Sequence, residues 1–179
     1  MRWPLAYCPD CGGSLPTAPP VSIVVQVCPA CGARHYHTSK PCAGALIMRE
    51  GRLLLARRAR PPRGGTWDIV GGFLNPDESP DVGALREAEE ETGLRIELGS
   101  LVGVFLDRYA DGDDCGDYTM NIYFDAVAHE GEALPADDVA ELRWFAPDAL
   151  PDDLAFPHEH EVLAQWRARQ SLDPEGGLS

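Results

Sequence analysis

The stretch GFLNPDESPDVGALREAEEETGL, residues 72–94, brings a loop, a helix and a dense acidic cluster into 23 positions. Ser79 stands where a helix cap belongs, Pro80 suits a first helical position, and Gly93 follows the end, so the pattern predicts a helix over 79–92. Four of the five residues from Glu87 to Glu91 are glutamates, and they fall in its last turns. That placement is unfavourable, because a helix C-terminus already carries partial negative charge and like charges three or four residues apart repel. Arg86 pairs with Glu90 at i+4 and offsets one charge only. At roughly 100° per residue, Glu87, Glu90 and Glu91 share an arc of about 100°, whereas Glu89 points elsewhere. Three carboxylates on one face suit a hard divalent cation such as Mg²⁺; a solvated acidic face is the other reading of the same run. Ala84, Leu85 and Ala88 supply the apolar stripe that docks the helix.

Strand patterns lie on both sides of this helix. Residues 43–48 and 52–56 read as buried strands joined in a hairpin at Arg49-Glu50-Gly51. Residues 57–65 (RRARPPRGG) read as a loop, and 66–70 as a short strand ended by Gly71-Gly72. Residues 96–109 and 119–129 form long strand-like runs separated by the polar loop 110–117. Residues 142–145 read as another strand. Val162, Leu163 and Trp166 mark a final helix over about 158–170 by their spacing, followed by a frayed tail from Asp173 to Ser179. The expected fold class is α/β, with a mixed β-sheet.

Ahead of this region, Cys8-Pro9-Asp10-Cys11-Gly12 and Cys28-Pro29-Ala30-Cys31-Gly32 repeat one C-P-x-C-G pattern. Each C-x-x-C turn offers two thiolates, so Cys8, Cys11, Cys28 and Cys31 make a tetrahedral structural Zn²⁺ site, with a pair of disulfides as the competing reading. A closed metal site stabilises a segment too short to bury a core of its own. His35 and His37 read as bystanders, and Cys42 and Cys115 as thiols outside the pattern. The expected organisation is a small zinc ribbon over 1–39, a main domain over 40–168 and a flexible tail over 169–179.

The 179 residues carry a net charge of −14, unevenly spread. Residues 1–70 hold nine Lys/Arg against three acids, and residues 71–179 hold six against 26. Such an acidic chain repels a nucleic-acid backbone, so long nucleic acid is not expected as a partner, whereas a small phosphorylated ligand held through a cation fits. No run approaches eighteen apolar residues, and the first residues contain no secretory-type apolar stretch. The expectation is a cytoplasmic chain with no membrane partner.

Gly72, five residues, Glu78, seven residues, then Arg86-Glu87-Ala88-x-Glu90-Glu91-x-Gly93-Leu94 fills all nine constrained positions of one motif. It resembles the Nudix box, G-x5-E-x7-R-E-U-x-E-E-x-G-U with U apolar, and the likeness extends over roughly residues 40–165. The resemblance implies an α/β/α sandwich around a mixed sheet. It implies a hydrolase that cleaves the pyrophosphate bond of a nucleoside diphosphate derivative with Mg²⁺ or Mn²⁺. By position, Glu87, Glu90, Glu91 and the Gly71 carbonyl are similar to the metal ligands, and Arg86 and Glu78 to the groups that orient them. Glu90 is the first candidate for the general base and Glu141 the second. Val70 departs from the family in standing where many members have proline.

A zinc ribbon ahead of such a domain resembles the NADH pyrophosphatase branch, but that branch's S-Q-P-W-P-F-P motif is absent; only Ala155-Phe156-Pro157 echoes it. Tyr109 stands where many ADP-ribose hydrolases have proline and is similar to a tyrosine of diadenosine-polyphosphate hydrolases. The substrate therefore stays open among ADP-ribose, NADH and dinucleoside-polyphosphate types. Arg57 and Arg58, with Arg60 and Arg63, are candidate phosphate clamps because guanidinium forks suit phosphate oxygens. The family likeness also implies a homodimer. The alternative function is a non-catalytic nucleotide-sensing or partner-docking module.

Overall fold

The computed structural model describes residues 4–16, 25–110 and 117–172. Its centre is a pair of strands with no polar face. β1 (Val25–Val27) and β2 (Arg34–Tyr36) lie in the N-terminal segment, followed by β3 (Lys40–Arg49) and β4 (Arg52–Arg58), which form the expected hairpin through Glu50 and Gly51. Both turn residues have positive φ, 51° and 71°, which closes the turn tightly. Leu53 and Leu55 face one side of the sheet, Leu54 and Ala56 the other, and all four are buried. A sheet covered on both faces is what an uninterrupted apolar run encodes.

β5 (Trp67–Ile69), β6 (Gly71–Phe73), β7 (Glu97–Tyr109), β8 (Asp117–Val127) and β9 (Val139–Phe145) complete a seven-stranded sheet. Its path runs β5-β4-β3-β8-β7, with β6 added to β3 and β9 to β4. Among the described strands only β3 and β8 pair with each other in parallel, from Lys40 opposite Thr119 to Met48 opposite Val127, so the sheet is mixed. α1 (Pro80–Thr92) covers one face, with Ala88 packed among Ala45, Ile47, Leu54, Val70 and Ala126. α2 (Pro157–Leu172) covers the other, where Val162, Leu163 and the fully buried Trp166 meet Leu46, Leu53, Leu55, Trp67 and Phe145.

Three local expectations are corrected. The glycine pair does not simply end a strand: Gly71–Phe73 is a strand of its own, opposite Gly44–Cys42. A Cβ on Gly71 would lie 2.5 Å from the Ala43 carbonyl oxygen, so the close approach of these backbones requires glycine. Arg57 and Arg58 are strand residues, not loop residues, because Arg57 pairs in register with Trp67 and Glu141. Ser79 occupies the α1 cap position in extended conformation but makes no side-chain cap bond; its hydroxyl serves Asp81. At the far end Gly93 takes the left-handed conformation (φ 70°) and donates its N–H to the Glu89 carbonyl.

The N-terminal segment folds around two matching knuckles. Cys8 N–H bonds Gly13 O and Gly12 N–H bonds Cys8 O; Cys28 N–H bonds Ala33 O and Gly32 N–H bonds Cys28 O. Gly12 and Gly32 share φ near 75° (73° and 76°), as the repeated sequence pattern requires. Gln26 ties the segment together by bonding both backbone groups of Leu5 and the Pro16 carbonyl. Asp117, expected at the end of a loop, begins β8 and pairs with Lys40 at 2.5 Å. Cys115, the rest of the 110–117 loop beyond Ala110 and Asp117, and the tail from Asp173 lie outside the described residues. No described helix is long and apolar enough to cross a membrane.

Candidate active site and metal centres

The box residues meet where α1 passes the glycine-rich β6. Arg86 is the hub. Its Nε and Nη2 take the two carboxylate oxygens of Glu78, both at 2.8 Å, and Nη2 also bonds the Phe73 carbonyl at 3.1 Å. Its Nη1 donates to Glu87 Oε1 at 2.7 Å and Glu90 Oε2 at 2.8 Å. Gly72 has no side chain because the Glu87 carboxylate lies there: a Cβ would sit 2.6 Å from Oε1. Glu91, 9% exposed, accepts the Gly71 N–H at 3.1 Å.

Charge is unevenly satisfied in this cluster. The Arg86 fork holds the Glu78 carboxyl down at about 2. Burial pushes Glu87 up, and it pushes Glu91 well above the usual carboxylate range, reinforced by the charges of Asp68, Glu87 and Asp138. A buried carboxylate surrounded by acids is an anion without its counter-charge, and a divalent cation is the species that supplies one. The donor set is all oxygen, which suits Mg²⁺ or Mn²⁺.

Gly71, Gly72, Arg86, Glu87, Glu90 and Glu91 line a cleft of about 390 Å³. Arg58, Asp68, Tyr109 and Phe156 line it as well, and Asp137 and Asp138 reach in from the loop before β9. Arg58 is heavily engaged there: it donates to Asp68 at 2.6 Å, to the Tyr109 hydroxyl at 3.1 Å and to the Pro62 carbonyl at 2.8 Å. Its guanidinium also lies over the Tyr109 and Phe156 rings, 5.6 and 5.4 Å from their centroids. Behind Asp68, the fully buried Glu159 accepts the N–H groups of Ile69 and Phe156 and fixes the start of α2 to β5.

The structure brings Glu78, Arg86, Glu87, Glu90, Glu91, Gly71, Arg58 and Tyr109 to one region. It does not bring Arg57 or Glu141 there. Arg57 donates to the Gly65 carbonyl and pairs with Glu141 at 3.5 Å, and Arg143 also binds Glu141, outside the cleft lining. Asp68, Asp137 and Asp138 are acids of the cleft that the motif does not mark, and Asp138 is the one with a local signal in the sequence. It directly precedes the apolar start of β9, three residues before Glu141.

In the N-terminal segment the sulfurs of Cys8, Cys11, Cys28 and Cys31 all lie within 4.8 Å of one another. Cys8 and Cys31 are 3.7 Å apart, and Cys11 and Cys28 are 3.6 Å apart. Both distances exclude a disulfide. A tetrahedron with metal–sulfur bonds of about 2.3 Å has edges of about 3.8 Å, so the cluster fits a four-thiolate ion. The Cys31 N–H lowers the Cys28 thiol to about 7, toward the ligating form. His35, read as a bystander, places Nε2 3.3 Å from Cys8 Sγ and so contacts a cluster sulfur.

An acidic, oxygen-lined cleft at the C-terminal end of a box helix, beside a mixed sheet with helices on both faces, is the arrangement of a pyrophosphate-cleaving hydrolase. Residues 38–167 match the family model described as the NUDIX domain. The chain belongs to the Nudix family and is a Nudix-type hydrolase. It is 34% identical over 122 residues to an ADP-ribose pyrophosphatase of Methanocaldococcus jannaschii, covering 68% of this chain and 70% of that protein. It is 30% identical over 174 residues to an NAD-capped RNA hydrolase of Stutzerimonas stutzeri, covering 94% of this chain but only 58% of the relative's length. A NUDIX hydrolase of Nitrosomonas europaea superposes with a TM-score of 0.78 at 26% identity, covering 94% of this chain and 93% of that one.

Proposed function

We propose that this chain hydrolyses the pyrophosphate bond of a small nucleoside diphosphate derivative, of the ADP-ribose, NADH or dinucleoside-polyphosphate type, with Mg²⁺ or Mn²⁺ held by Glu87, Glu90, Glu91 and the Gly71 carbonyl. The observation that carries this reading is the buried Glu91 carboxylate, which accepts the Gly71 N–H and is pushed up by burial and by the charges of Asp68, Glu87 and Asp138. An ion held there would supply charge neutralisation at the phosphates and a more acidic water. Arg86 and Glu78 hold the glutamates in place through the bidentate fork. Asp138 joins Glu90 as a candidate base, because it reaches the cleft and Glu141 does not. Arg58 and Tyr109 form the wall against which the nucleotide lies. The four cysteines hold Zn²⁺ as a structural ion. Relatives whose names specify ADP-ribose or NAD-capped RNA support the adenine-nucleotide end of this range.

The test is turnover of ADP-ribose, NADH and a dinucleoside polyphosphate with Mg²⁺ or Mn²⁺, with products identified. Losing a ligand that supports several kcal/mol of transition-state stabilisation lowers the rate on the order of a thousandfold, the effect expected of Glu90→Gln. Wild-type turnover by that variant would refute the assignment.

A further inference from the structure

The cleft has a floor that runs from the box strand across the sheet, and its far end is not used by the pyrophosphate chemistry. Register places Phe73 of β6, Cys42 of β3 and Asn121 of β8 in one row across the sheet, facing the same side. Strands lie about 4.8 Å apart, so Asn121 sits roughly 10 Å from the strand that abuts the box, which leaves room for a sugar between them. Asn121 and Thr119 are buried (7% and 4% exposed), yet both line the cleft.

The Asn121 amide is held in one orientation. Its Nδ2 donates to Thr119 Oγ1 at 3.1 Å and to the Phe105 carbonyl at 3.4 Å. A carbonyl oxygen can only accept, so this bond fixes which end of the amide is nitrogen. Oδ1 has no hydrogen-bond partner among the described residues, and it is not sealed from the cleft. An acceptor oriented by its own amide and open to the cleft is available to a ligand donor that reaches it. The flanking rings, Tyr109 and Phe156, are stacked at 5.6 Å with 23° between planes, and with Phe73 they wall the same space. Aromatic walls and one acceptor describe a compartment for a flat heterocycle bearing an N–H donor.

We propose that this compartment takes the nucleobase of the substrate and that Asn121 Oδ1 selects an exocyclic amino group, so that adenine is preferred over hypoxanthine. A keto oxygen at that position would meet Oδ1 acceptor to acceptor. The proposal rests on the hydrolase reading for its substrate, but not for its test. The full chain is titrated calorimetrically with AMP and with IMP, and kcat/KM is measured for ADP-ribose and its hypoxanthine counterpart.

One buried hydrogen bond corresponds to about a tenfold preference for the amino base. Asn121→Leu brings the AMP-to-IMP binding ratio to about one, with the corresponding loss of preference between the two substrates in kcat/KM. Thr119→Val removes the oxygen that orients the amide and lowers the preference in part, which keeps the test decisive if the leucine variant fails to fold. A binding preference without turnover would refute the hydrolase reading and leave the compartment standing. Equal binding of AMP and IMP, binding of neither, or a preference that survives Asn121→Leu would overturn the proposal.

Discussion

The cysteine cluster and the glutamate cluster are both built from acidic ligand atoms close in sequence, yet they stand in opposite states of readiness. In the first, two rigid knuckles with matching backbone hydrogen bonds set four sulfurs at spacings that already fit an ion. In the second, a guanidinium occupies the space between Glu87 and Glu90, and Glu91 is turned to a backbone N–H. A structural ion needs a closed and pre-formed cage; a catalytic ion needs ligands that can rearrange and leave positions for water and substrate. The two sites differ less in charge than in what holds the ligands before metal arrives.

Removing the metal should break that comparison most strongly on the cysteine side. Structural four-ligand zinc sites contribute roughly 10–16 kcal/mol of apparent binding free energy, more than a segment of this size gains from its small apolar cluster of Leu5, Leu15 and the two inner cysteines. Chelation is expected to abolish amide-exchange protection at Gly12, Cys28 and Gly32 while α1 keeps its own. Unchanged protection after complete demetallation would remove the structural role from the ion.

Glu91→Gln should have the next largest effect, and it sharpens the contrast because its two consequences oppose each other. The folded-state affinity of Glu91 for protons is raised, so the folded chain binds more protons than the unfolded one and stability falls as pH rises from 4.5 toward the raised value. Glutamine removes that penalty. The metal-free variant should melt higher than the wild type at neutral pH while its hydrolysis falls on the order of a thousandfold. A cysteine-site substitution should never stabilise. Calorimetry at pH 7 without divalent ions, paired with a rate assay, measures both; a lower melting temperature would show that Glu91 is an ordinary packed side chain.

What was readable in advance follows the same division. The knuckles and the box were legible because each is local: the spacing of C-x-x-C or of glutamates on a helix fixes geometry within one or two turns. The two buried central strands were legible because apolar runs with no alternation mean cover on both faces. The cleft's far wall was not, since Asp68, Asn121, Asp138 and Phe156 come from four separate strands, loops and helix ends and meet only through sheet register. Arg57 and Arg58 show the limit well. They are adjacent and chemically identical, but alternation along β4 sends one toward Glu141 and the other into the cleft.

The smallest expected effect probes the one member of the box that is fully compensated. Glu78 has both oxygens in the Arg86 fork and accepts the Asn75 N–H as well, which depresses its carboxyl to about 2 from an ordinary 4.5. Here the unfolded chain binds the extra proton, so the contribution is fully present above 4.5 and is lost as pH falls toward 2, the reverse of Glu91. Glu78→Gln should therefore flatten the acid limb of a melting-temperature profile between pH 4.5 and 2.5 and leave the profile above pH 6 parallel to that of the wild type. The freed Arg86 should meanwhile hold Glu87 and Glu90 less firmly, so the metal concentration for half-maximal rate should shift while the AMP-to-IMP binding ratio does not. If the acid limb keeps its slope, Arg86 does not depend on Glu78 for its position, and the fork is a consequence of the box geometry instead of its cause.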